Sequence, residues 1–301
     1  MMAQVALGFE LTPATTIAQA ARSMTNAFVD AGIDTPDLDA RALLCATLAI
    51  DAAMLITQPD RPLSADAERL TIIARRRIGR EPVSRILGRR EFYGRSFEVT
   101  PATLDPRPAS ETIIDAVLGY VRANGGVEKY WRILDVGTGS GCLLVTLLAE
   151  LPNATGLGTD VSTEALKVAA RNADRVGVGE RTKLMVADGL EPVPPRYDIL
   201  VVNPPYIPSV EIAALAPEVR DHDPLLALDG GADGLDLYRR MAKYLFHVAP
   251  DGYVCLEVGH NQADRVAALL VDEARGLAWP APVLVTDLAG IKRCVTQTTR
   301  W

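Results

Sequence analysis

Over residues 15–85, apolar positions recur three and four residues apart, the spacing that places them on one face of an α-helix. In the first such segment, Gly32 follows the last apolar position and predicts a helix end. A second helix is expected to begin at Thr35 and Pro36, a favoured cap and first-turn pair, and a third follows Ser64. We therefore predict a small bundle of three or four amphipathic helices without strands.

From about residue 131 the pattern changes to short apolar runs that alternate with helical segments, as in βαβ units with a mostly parallel sheet. Helical patterns lie between most of the runs, for example over Thr163–Val176 and Leu235–Val248. A tight turn at Leu288-Ala289-Gly290 predicts that the last two runs pair as an antiparallel hairpin. The predicted strands are Arg132–Val136, Thr155–Thr159, Lys183–Ala187, Asp198–Val202, Tyr253–Val258, Val283–Asp287 and Lys292–Thr298.

Between these two regions, prolines punctuate residues 91–111 and favour a linker with short extended pieces. We therefore predict a helical domain over residues 1–88, a linker over residues 89–111 and an α/β domain over residues 112–301. The sequence contains no internal repeat and no low-complexity tract.

Composition narrows the class of protein. Apolar residues make up 49% and charged residues 23% of the 301 residues, as expected for a globular protein with a large core. The 31 basic and 38 acidic residues give a net charge of −7, which argues against a protein held mainly by phosphate neutralisation. We therefore expect no direct DNA binding, and we take a monomer as the default.

The sequence offers few metal ligands and no membrane segment. The histidines lack H-x-x-x-H spacing and the cysteines form no C-x-x-C pair, so we predict no metal site and free, buried cysteines in a reducing cytoplasm. Residues 1–10 lack the basic and apolar regions of a signal peptide, and the longest apolar run, Cys142–Ala149, is too short to span a membrane. A cytoplasmic protein is expected.

The end of the helical region is rich in arginine, and two interpretations stay open. The arginines form either a solvated helix face or a basic surface that meets an acidic partner or RNA. They are Arg75, Arg76, Arg77, Arg80, Arg85, Arg89 and Arg90.

A glycine-rich loop, Gly137-Thr138-Gly139-Ser140-Gly141, lies between the first predicted strand and a predicted helix over Cys142–Glu150. Glycines there allow a sharp turn and let a ligand approach the main chain closely. Cys142 occupies the position of the third glycine of a dinucleotide fingerprint, and no Gly-Lys-Ser/Thr of a phosphate-binding loop follows. The spacing G-x-G-x-G after an acidic residue instead resembles motif I of S-adenosylmethionine-dependent enzymes.

Two carboxylates stand at the ends of the next predicted strands. Asp160 ends the second strand, where a carboxylate can accept hydrogen bonds from both ribose hydroxyls of a nucleotide. Asp188 ends the third strand, where such folds place their contacts with adenine. Residues that merely cap strands would not account for the loop and both carboxylates together. We therefore predict S-adenosylmethionine as the cofactor.

The fourth predicted strand runs directly into Asn203-Pro204-Pro205-Tyr206, and ligands of open α/β sheets bind beyond the carboxyl ends of the strands. An –NH2 group whose lone pair is delocalised is a poor nucleophile. The Asn203 side-chain oxygen and the Pro204 carbonyl can each accept one of its N–H bonds, which orients it and favours the developing positive charge. Tyr206 offers a flat face for a planar amide or base. The motif therefore predicts N-methylation but does not separate glutamine, adenine and guanine as targets.

The chain resembles the bacterial release-factor glutamine methyltransferases, the PrmC/HemK family, over nearly its whole length. The resemblance implies a class I S-adenosylmethionine methyltransferase fold, which is Rossmann-like with a seven-stranded sheet and an antiparallel C-terminal hairpin, behind a helical N-terminal domain. It also implies N5-methylation of the glutamine in the Gly-Gly-Gln motif of peptide chain release factors. The matching pieces include Arg76-Arg77, Glu81-Pro82-Val83, Gly88–Gly94, Pro101–Leu104, Pro106–Pro108, Glu111, Asp135–Gly141, Asn203–Tyr206, Pro224, Ala227-Leu228, Gly230–Leu235, Asp287–Gly290 and Arg293.

The same resemblance assigns roles to particular residues. The helical domain grips the release factor, and the residues that hold the glutamine are Asn203, Pro204, Pro205 and Tyr206, of which Asn203, Pro204 and Tyr206 are catalytic. The residues that hold the cofactor are Gly137, Thr138, Gly139, Ser140, Gly141, Asp160, Asp188, Gly189 and Asn203. The segment Leu104–Glu111 departs from the family pattern, with Asp105 in place of an apolar residue and Ala109 in place of an acid.

Three other functions compete with release-factor methylation. A sister enzyme that methylates a glutamine of a large-subunit ribosomal protein shares the Gly139–Cys142 pattern, whereas Arg90–Gly94 and Asp287–Arg293 resemble the release-factor branch. A DNA adenine methyltransferase would need a larger and more basic recognition domain. A non-catalytic binding module is disfavoured by the intact Asn203–Tyr206 motif.

Overall fold

The computed structural model describes residues 8–275 and 279–299 of the chain. Residues 1–7, part of the segment in which we expect no signal peptide, lie outside the described residues. Within the described ranges, no helix is long and apolar enough to cross a membrane.

The chain divides into two compact units. A short segment that lies within the sequence of the sheet unit belongs to the helical unit. The helical unit comprises Met1–Gly88 and Ala216–His222, and the sheet unit comprises Arg89–Leu215 and Asp223–Trp301.

The helical unit confirms the predicted helical bundle, although it contains more helices than the three or four predicted. The first helix, α1 (Ile17–Asp30), begins with a capping box. The Thr16 hydroxyl accepts a hydrogen bond from the Gln19 backbone N–H, and the Gln19 side chain accepts one from the Thr16 backbone N–H. Thr35 precedes the second helix, α2 (Pro36–Leu48), as predicted. Its hydroxyl, however, donates a hydrogen bond to Asp39 over 3.0 Å rather than capping the helix. Numbered in chain order with the rest of the molecule, the helices are α1 Ile17–Asp30, α2 Pro36–Leu48, α3 Ala52–Thr57, α4 Ala67–Ile78, α5 Val83–Leu87 and the single turn α9 Pro217–Arg220.

Much of the predicted arginine cluster is used within the helical unit itself. Arg77 is buried and donates to Asp39 over 2.7 Å and to Glu218 of α9 over 3.0 Å. Arg80 donates to both carboxylate oxygens of the same Glu218, each over 2.7 Å. Arg76 pairs in the same two-pronged manner with Glu81. Arg77 and Arg80 therefore fit neither sequence interpretation, because they hold the unit together, whereas the exposed Arg76 fits the solvated helix face.

The sheet unit contains all seven predicted strands in one mixed sheet, and no predicted end differs from the observed one by more than one residue. The spatial order is β5-β4-β3-β6-β7-β9-β8, with β9 antiparallel to both β7 and β8. The other neighbouring pairs are parallel. The strands are β3 Arg132–Val136, β4 Thr155–Asp160, β5 Thr182–Val186, β6 Ile199–Val202, β7 Tyr253–Glu257, β8 Val283–Thr286 and β9 Lys292–Thr298.

Alternate residues of the central strands face two separate apolar cores. Ile133 and Val201 belong to one core, and their neighbours Leu134 and Leu200 belong to the other. This period of two follows from strand geometry and explains why β3 and β6 are almost continuously apolar. The helices of the sheet unit are α6 Glu111–Ala123, α7 Cys142–Glu150, α8 Thr163–Val176, α10 Asp236–Val248 and α11 Ala263–Glu273.

The predicted linker over residues 89–111 lies in the sheet unit. Its extended pieces, β1 Arg89–Phe92 and β2 Arg95–Glu98, pair as a separate antiparallel hairpin. Phe92 and Phe97 are buried in the same core as Ile133, with ring centroids 6.2 Å apart in an edge-to-face arrangement.

Candidate active site

The predicted site residues come from the carboxyl ends of adjacent parallel strands. The glycine-rich loop joins β3 to α7, Asp160 ends β4, Asp188 follows β5 and Asn203 follows β6 directly. Because parallel strands end at the same edge of a sheet, this topology brings the four features together.

The glycine-rich loop requires its glycines for conformation and for space. Gly137, Gly139 and Gly141 have φ of 71°, 56° and 80°, in the left-handed region that other residues rarely adopt. A Cβ on Gly141 would lie 3.2 Å from the Cβ of Ala169 in α8, whereas a Cβ on Gly137 would meet nothing within 4 Å. The missing side chain of Gly141 therefore lets α8 pack against the loop, and the missing side chain of Gly137 leaves open space beside the backbone.

Two carboxylates stabilise this loop from different sides. Asp160 accepts from the backbone N–H of Gly139 and of Ser162, each over 2.9 Å. Asp135 accepts from the Thr138 hydroxyl over 2.6 Å and is fully enclosed. Burial raises the pKa of Asp135 to about 7, although hydrogen bonds from Thr138 and the backbone of Leu144 act to lower it.

Asp188 stands in a more open environment than Asp160. Its side chain is 64% exposed and forms an ion pair with Arg240 of α10 over 2.9 Å. An exposed pair of this kind contributes little to stability, so both groups stay available to a ligand.

The Asn203 side chain has a defined orientation. Its Nδ2 donates to the Ser110 hydroxyl over 3.1 Å. Among the described residues, nothing donates a hydrogen bond to its Oδ1, and Asn203 lines the central cavity. The acceptor oxygen is therefore free to meet a ligand N–H group.

The backbone of the Asn203–Tyr206 motif is held by a second glycine-rich segment. Gln262 donates to the Tyr206 carbonyl over 2.7 Å. A Cβ on Gly230 would approach the Pro205 carbonyl oxygen to 2.8 Å, and a Cβ on Gly234 would approach the Tyr206 carbonyl oxygen to 2.2 Å. The close approach explains the repeated glycines in this segment, to which the sequence analysis assigned no role.

A cavity of about 770 Å³ opens at this edge of the sheet, within the range of roughly 300–1,000 Å³ typical of small-molecule sites. Gly141 and Tyr206 do not line it. A Cβ on Gly259 would lie 3.4 Å from the Tyr206 ring. The expected contact of this ring with the target stays a prediction. The predicted residues that do line the cavity are Gly137, Thr138, Gly139, Ser140, Asp160, Asp188, Gly189, Asn203, Pro204 and Pro205.

Several lining residues were missed as site residues by the sequence analysis. Leu104, Pro106, Arg107 and Ser110 line the cavity, so the segment that departs from the family pattern lies at the site. Asp105 is buried in that segment, its backbone N–H donates to Asp223, and Arg107 forms an ion pair with the same carboxylate. The substituted position therefore faces protein rather than the cavity. No local pattern marks these residues, because their place depends on a loop distant in sequence.

Two exposed apolar side chains also line the cavity. Leu225 and Leu226 line it and are 59% and 74% exposed. Exposed apolar side chains beside a cavity are typical of a surface that meets another molecule.

Glu257, the last residue of β7, was also missed. Its side chain is buried at 2% exposure, and its Oε2 makes no hydrogen bond within the described part of the chain. Burial raises the pKa of Glu257 to about 7, against the effects of the Ser110 hydroxyl, Arg293, the Tyr206 hydroxyl and Arg107, which lower it.

Two family models match parts of the chain. Residues 19–88 match the model described as the PrmC N-terminal domain, and residues 124–217 match the methyltransferase small domain.

Curated relatives match the chain over nearly its whole length. A protein of Bradyrhizobium diazoefficiens named release factor glutamine methyltransferase is 43% identical, with 93% of this chain and 94% of the relative covered. A protein of the same name from Cereibacter sphaeroides is 45% identical, with coverages of 93% and 97%. Among solved structures, the hMettl16 catalytic domain in complex with the MAT2A 3′UTR hairpin 6 matches with a TM-score of 0.53 at 17% identity. That alignment covers 78% of this chain and 81% of the solved one, and it shows a shared fold alone.

Proposed function

The chain belongs to the release factor glutamine methyltransferase family, and from this premise we propose that it transfers a methyl group from S-adenosylmethionine to N5 of a release-factor glutamine. The observation that carries the proposal is Asn203, whose Nδ2 is bound by Ser110 and whose Oδ1 stays free at the cavity. An acceptor held in this way suits the –NH2 group of an amide. The methylated glutamine would be the one in the Gly-Gly-Gln motif.

The residues of the cavity fit the proposed cofactor. The loop Gly137–Gly141 offers unobstructed backbone at Gly137, which allows close approach of a ligand chain. Asp160 supplies a carboxylate for ribose hydroxyls, and Asp188 with Gly189 lines the region beyond β5 where adenine is expected. S-adenosylmethionine supplies an electrophilic methyl group on a sulfonium centre.

The protein contributes orientation and the exclusion of water. Asn203 Oδ1 and the Pro204 carbonyl each accept one N–H bond of the glutamine amide, which fixes the nitrogen in line for transfer. The same acceptors stabilise the positive charge that develops on the nitrogen. Leu225 and Leu226 form an apolar edge against which the peptide around the glutamine can pack.

We further propose that the helical domain over residues 1–88 recognises the release factor and that residues 112–301 carry out transfer. The intervening residues 89–111 contribute Leu104, Pro106, Arg107 and Ser110 to the lining of the site. The match of residues 19–88 to the PrmC N-terminal domain supports a dedicated recognition module. A monomer is the simplest assembly that completes this site, because every residue assigned to it lies in one chain.

The deciding assay is transfer of a radiolabelled methyl group from S-adenosylmethionine to purified, unmethylated release factor, followed by peptide mapping. We expect label on the glutamine of Gly-Gly-Gln. Purified large-subunit ribosomal proteins and unmethylated DNA serve as competing substrates. Label on DNA, or on a ribosomal protein without label on the release factor, rejects the proposal.

The Asn203→Ala variant tests the motif itself. Loss of an acceptor used in the transition state is expected to lower kcat by about 100-fold or more, with the fold retained. Asn153→Ala removes an exposed asparagine outside the cavity and is the matched control. Near-normal transfer by the Asn203 variant would contradict the role assigned to this residue.

A further inference from the structure

Two basic side chains line the central cavity, at different places along it. They belong to Arg107 and Arg240, and no other described lining residue is basic. A carboxylate that enters this cavity is repelled by the acidic lining residues and must therefore meet one of the two arginines. The acidic lining residues are Asp160, Asp188, Asp229 and Asp236.

Arg240 belongs to the part of the cavity beyond β5. It forms an ion pair with Asp188 over 2.9 Å, and a Cβ on Gly189 would lie 3.9 Å from its Nη2. Asp188 and Gly189 line the region where the adenine of the cofactor is expected. The Arg240 guanidinium is therefore next to the expected position of the base.

Arg107 belongs to the part of the cavity at Asn203. Its carbonyl oxygen accepts from the Ser110 backbone N–H over 3.0 Å, and the Ser110 hydroxyl accepts from Asn203 Nδ2 over 3.1 Å. Asn203 follows β6, the third neighbour of β5 in the sheet, so the ends of these two strands are roughly 14 Å apart. Arg107 is therefore the cation at the end of the cavity where methyl transfer is proposed.

The Arg107 side chain is anchored by a buried carboxylate. Its Nη2 forms an ion pair with Asp223, whose side chain is 1% exposed and also accepts from the Asp105 backbone N–H over 3.2 Å. A guanidinium has five N–H donors, and the described part of the chain supplies no hydrogen-bond acceptor for Arg107 Nε or Nη1. An arginine that is fixed in this way and keeps unused donors suits recognition of a carboxylate.

The proposed cofactor carries one carboxylate, in its methionyl part, at the opposite end of the molecule from adenine. With adenine beyond β5, the methionyl part extends toward Asn203, where the methyl group must reach its target. We propose that Arg107, anchored by Asp223, binds the carboxylate of S-adenosylmethionine. The inference rests on the proposed function, because it takes the cofactor of that function as the ligand.

The test compares two ligands that differ only in this carboxylate, S-adenosylmethionine and decarboxylated S-adenosylmethionine. Isothermal titration calorimetry measures their dissociation constants for the full chain in the absence of release factor. The variants are Arg107→Met and Arg107→Gln, of which the second keeps an –NH2 group that can donate to Asp223. Arg240→Met, which removes the other cation that lines the cavity, is the matched control.

The unaltered protein should bind S-adenosylmethionine about 10- to 100-fold more tightly than the decarboxylated ligand, because hydrogen bonds to a charged group are lost with the carboxylate. Both Arg107 variants should bind S-adenosylmethionine about 10-fold or more weakly and change the affinity for the decarboxylated ligand by less than about 3-fold. Arg240→Met should change both dissociation constants by the same factor, because its contact is with the base.

Equal affinity of the unaltered protein for the two ligands overturns the proposal without any variant. An Arg107 variant that weakens both ligands equally also overturns it, since a structural role through Asp223 would act on both. The same holds if the preference for the carboxylate disappears in Arg240→Met instead. If Arg107→Met does not fold, Arg107→Gln decides.

Methyl-transfer kinetics separate the cofactor from the protein substrate as the source of the carboxylate. A raised KM for release factor in Arg107→Met, with unchanged affinity for S-adenosylmethionine, would assign Arg107 to the release factor and overturn the proposal. An unaltered protein that prefers S-adenosylmethionine over the decarboxylated ligand but labels DNA or ribosomal protein and never the release factor overturns the proposed function, while the role of Arg107 stands.

Discussion

Carboxyl groups at the edge of the sheet differ in what they contact, and these contacts decide their uses. Asp160 accepts two backbone N–H bonds and lines the cavity. Asp135 and Glu257 are enclosed, each has an oxygen without a partner among the described residues, and the pKa of each rises to about 7 through burial. A hydrogen-bonded carboxylate suits ligand binding, whereas an enclosed one suits control of its neighbours.

The first residue-scale prediction concerns the two carboxylates proposed to hold the cofactor. Asp160→Ala should weaken S-adenosylhomocysteine binding about 10- to 100-fold, because hydrogen bonds to a charged group contribute roughly 1.5–3 kcal/mol. Asp188→Ala should weaken it by less than about 3-fold, because this side chain is 64% exposed and already pairs with Arg240. Isothermal titration calorimetry measures both. Equal losses would contradict the division of roles.

The second residue-scale prediction concerns the glycines that support the Asn203–Tyr206 motif. Gly234 has φ of 76°, and an added Cβ would lie 2.2 Å from the Tyr206 carbonyl oxygen. Gly177 has φ of 81° but open space around its Cβ position. Gly177→Ala should lower the free energy of unfolding by about 1–2 kcal/mol through backbone strain alone.

Gly234→Ala should cost more than Gly177→Ala and also lower the rate of methyl transfer, because the Tyr206 backbone must shift. Urea denaturation and the transfer assay give the two readouts. Equal stability losses with normal transfer by both variants would show that the contact with Tyr206 is unimportant.

At the scale of elements, the single turn α9 belongs to a unit whose other helices are distant from it in sequence. Its Glu218 accepts from Arg77 and from both ends of the Arg80 guanidinium, so Ala216–His222 belongs to the helical unit although the chain on either side belongs to the sheet unit. Burial works to raise the pKa of Glu218, but the hydrogen bonds from Arg80 and Arg77 outweigh it, and the pKa is lowered.

Glu218→Gln should therefore lower the free energy of unfolding of the helical unit by about 2 kcal/mol at pH 7, since it weakens a bidentate pair beside the buried Arg77. A carboxyl with a lowered pKa stabilises the fold above its unfolded pKa of about 4.3, and this stabilisation is lost as pH falls through the folded value. The difference between variant and unaltered protein should thus shrink toward pH 3.

Thermal unfolding followed by circular dichroism at pH 7 and at pH 3 measures this effect. Glu211→Gln, at an exposed glutamate for which the structure records no ion pair, is the control. A penalty that stays constant with pH would contradict the ionic origin of the stabilisation.

At the scale of the whole molecule, the sheet unit combines two apolar cores with two enclosed carboxyl groups. Groups whose folded pKa is raised contribute stability that is complete below the unfolded pKa and is lost as pH rises through the folded value. For Asp135 and Glu257 that window runs from about 4 to about 7.

We therefore expect the unfolding free energy to fall between pH 5 and pH 8, and Glu257→Gln to be relatively more stable than the unaltered protein at pH 8. Equilibrium urea unfolding at the two pH values measures this, with Glu273→Gln as control. A variant that is no more stable at pH 8 than at pH 5, relative to the unaltered protein, would show that the pKa of Glu257 is not raised in the folded state.

The sequence by itself determined the main elements of both units and the position of the glycine-rich loop. Helical and strand periods are local, so the bundle and all seven strands follow from neighbouring residues. Because parallel strands end at one edge, Gly137–Gly141, Asp160, Asp188 and Asn203 could be placed together before any contact was known. The resemblance to a family added the target, which the motif alone left open.

Only the tertiary structure decided which groups act on Asn203. Ser110, which accepts from its side chain, lies 93 positions before it, so no local pattern connects the two. It also left Tyr206 outside the lining of the cavity and placed Glu218 in the helical unit. The physical reason is the distance in sequence over which each signal acts. The periodicity of apolar residues shows which face of one helix or strand is buried, whereas a hydrogen bond between distant loops depends on how the whole chain packs.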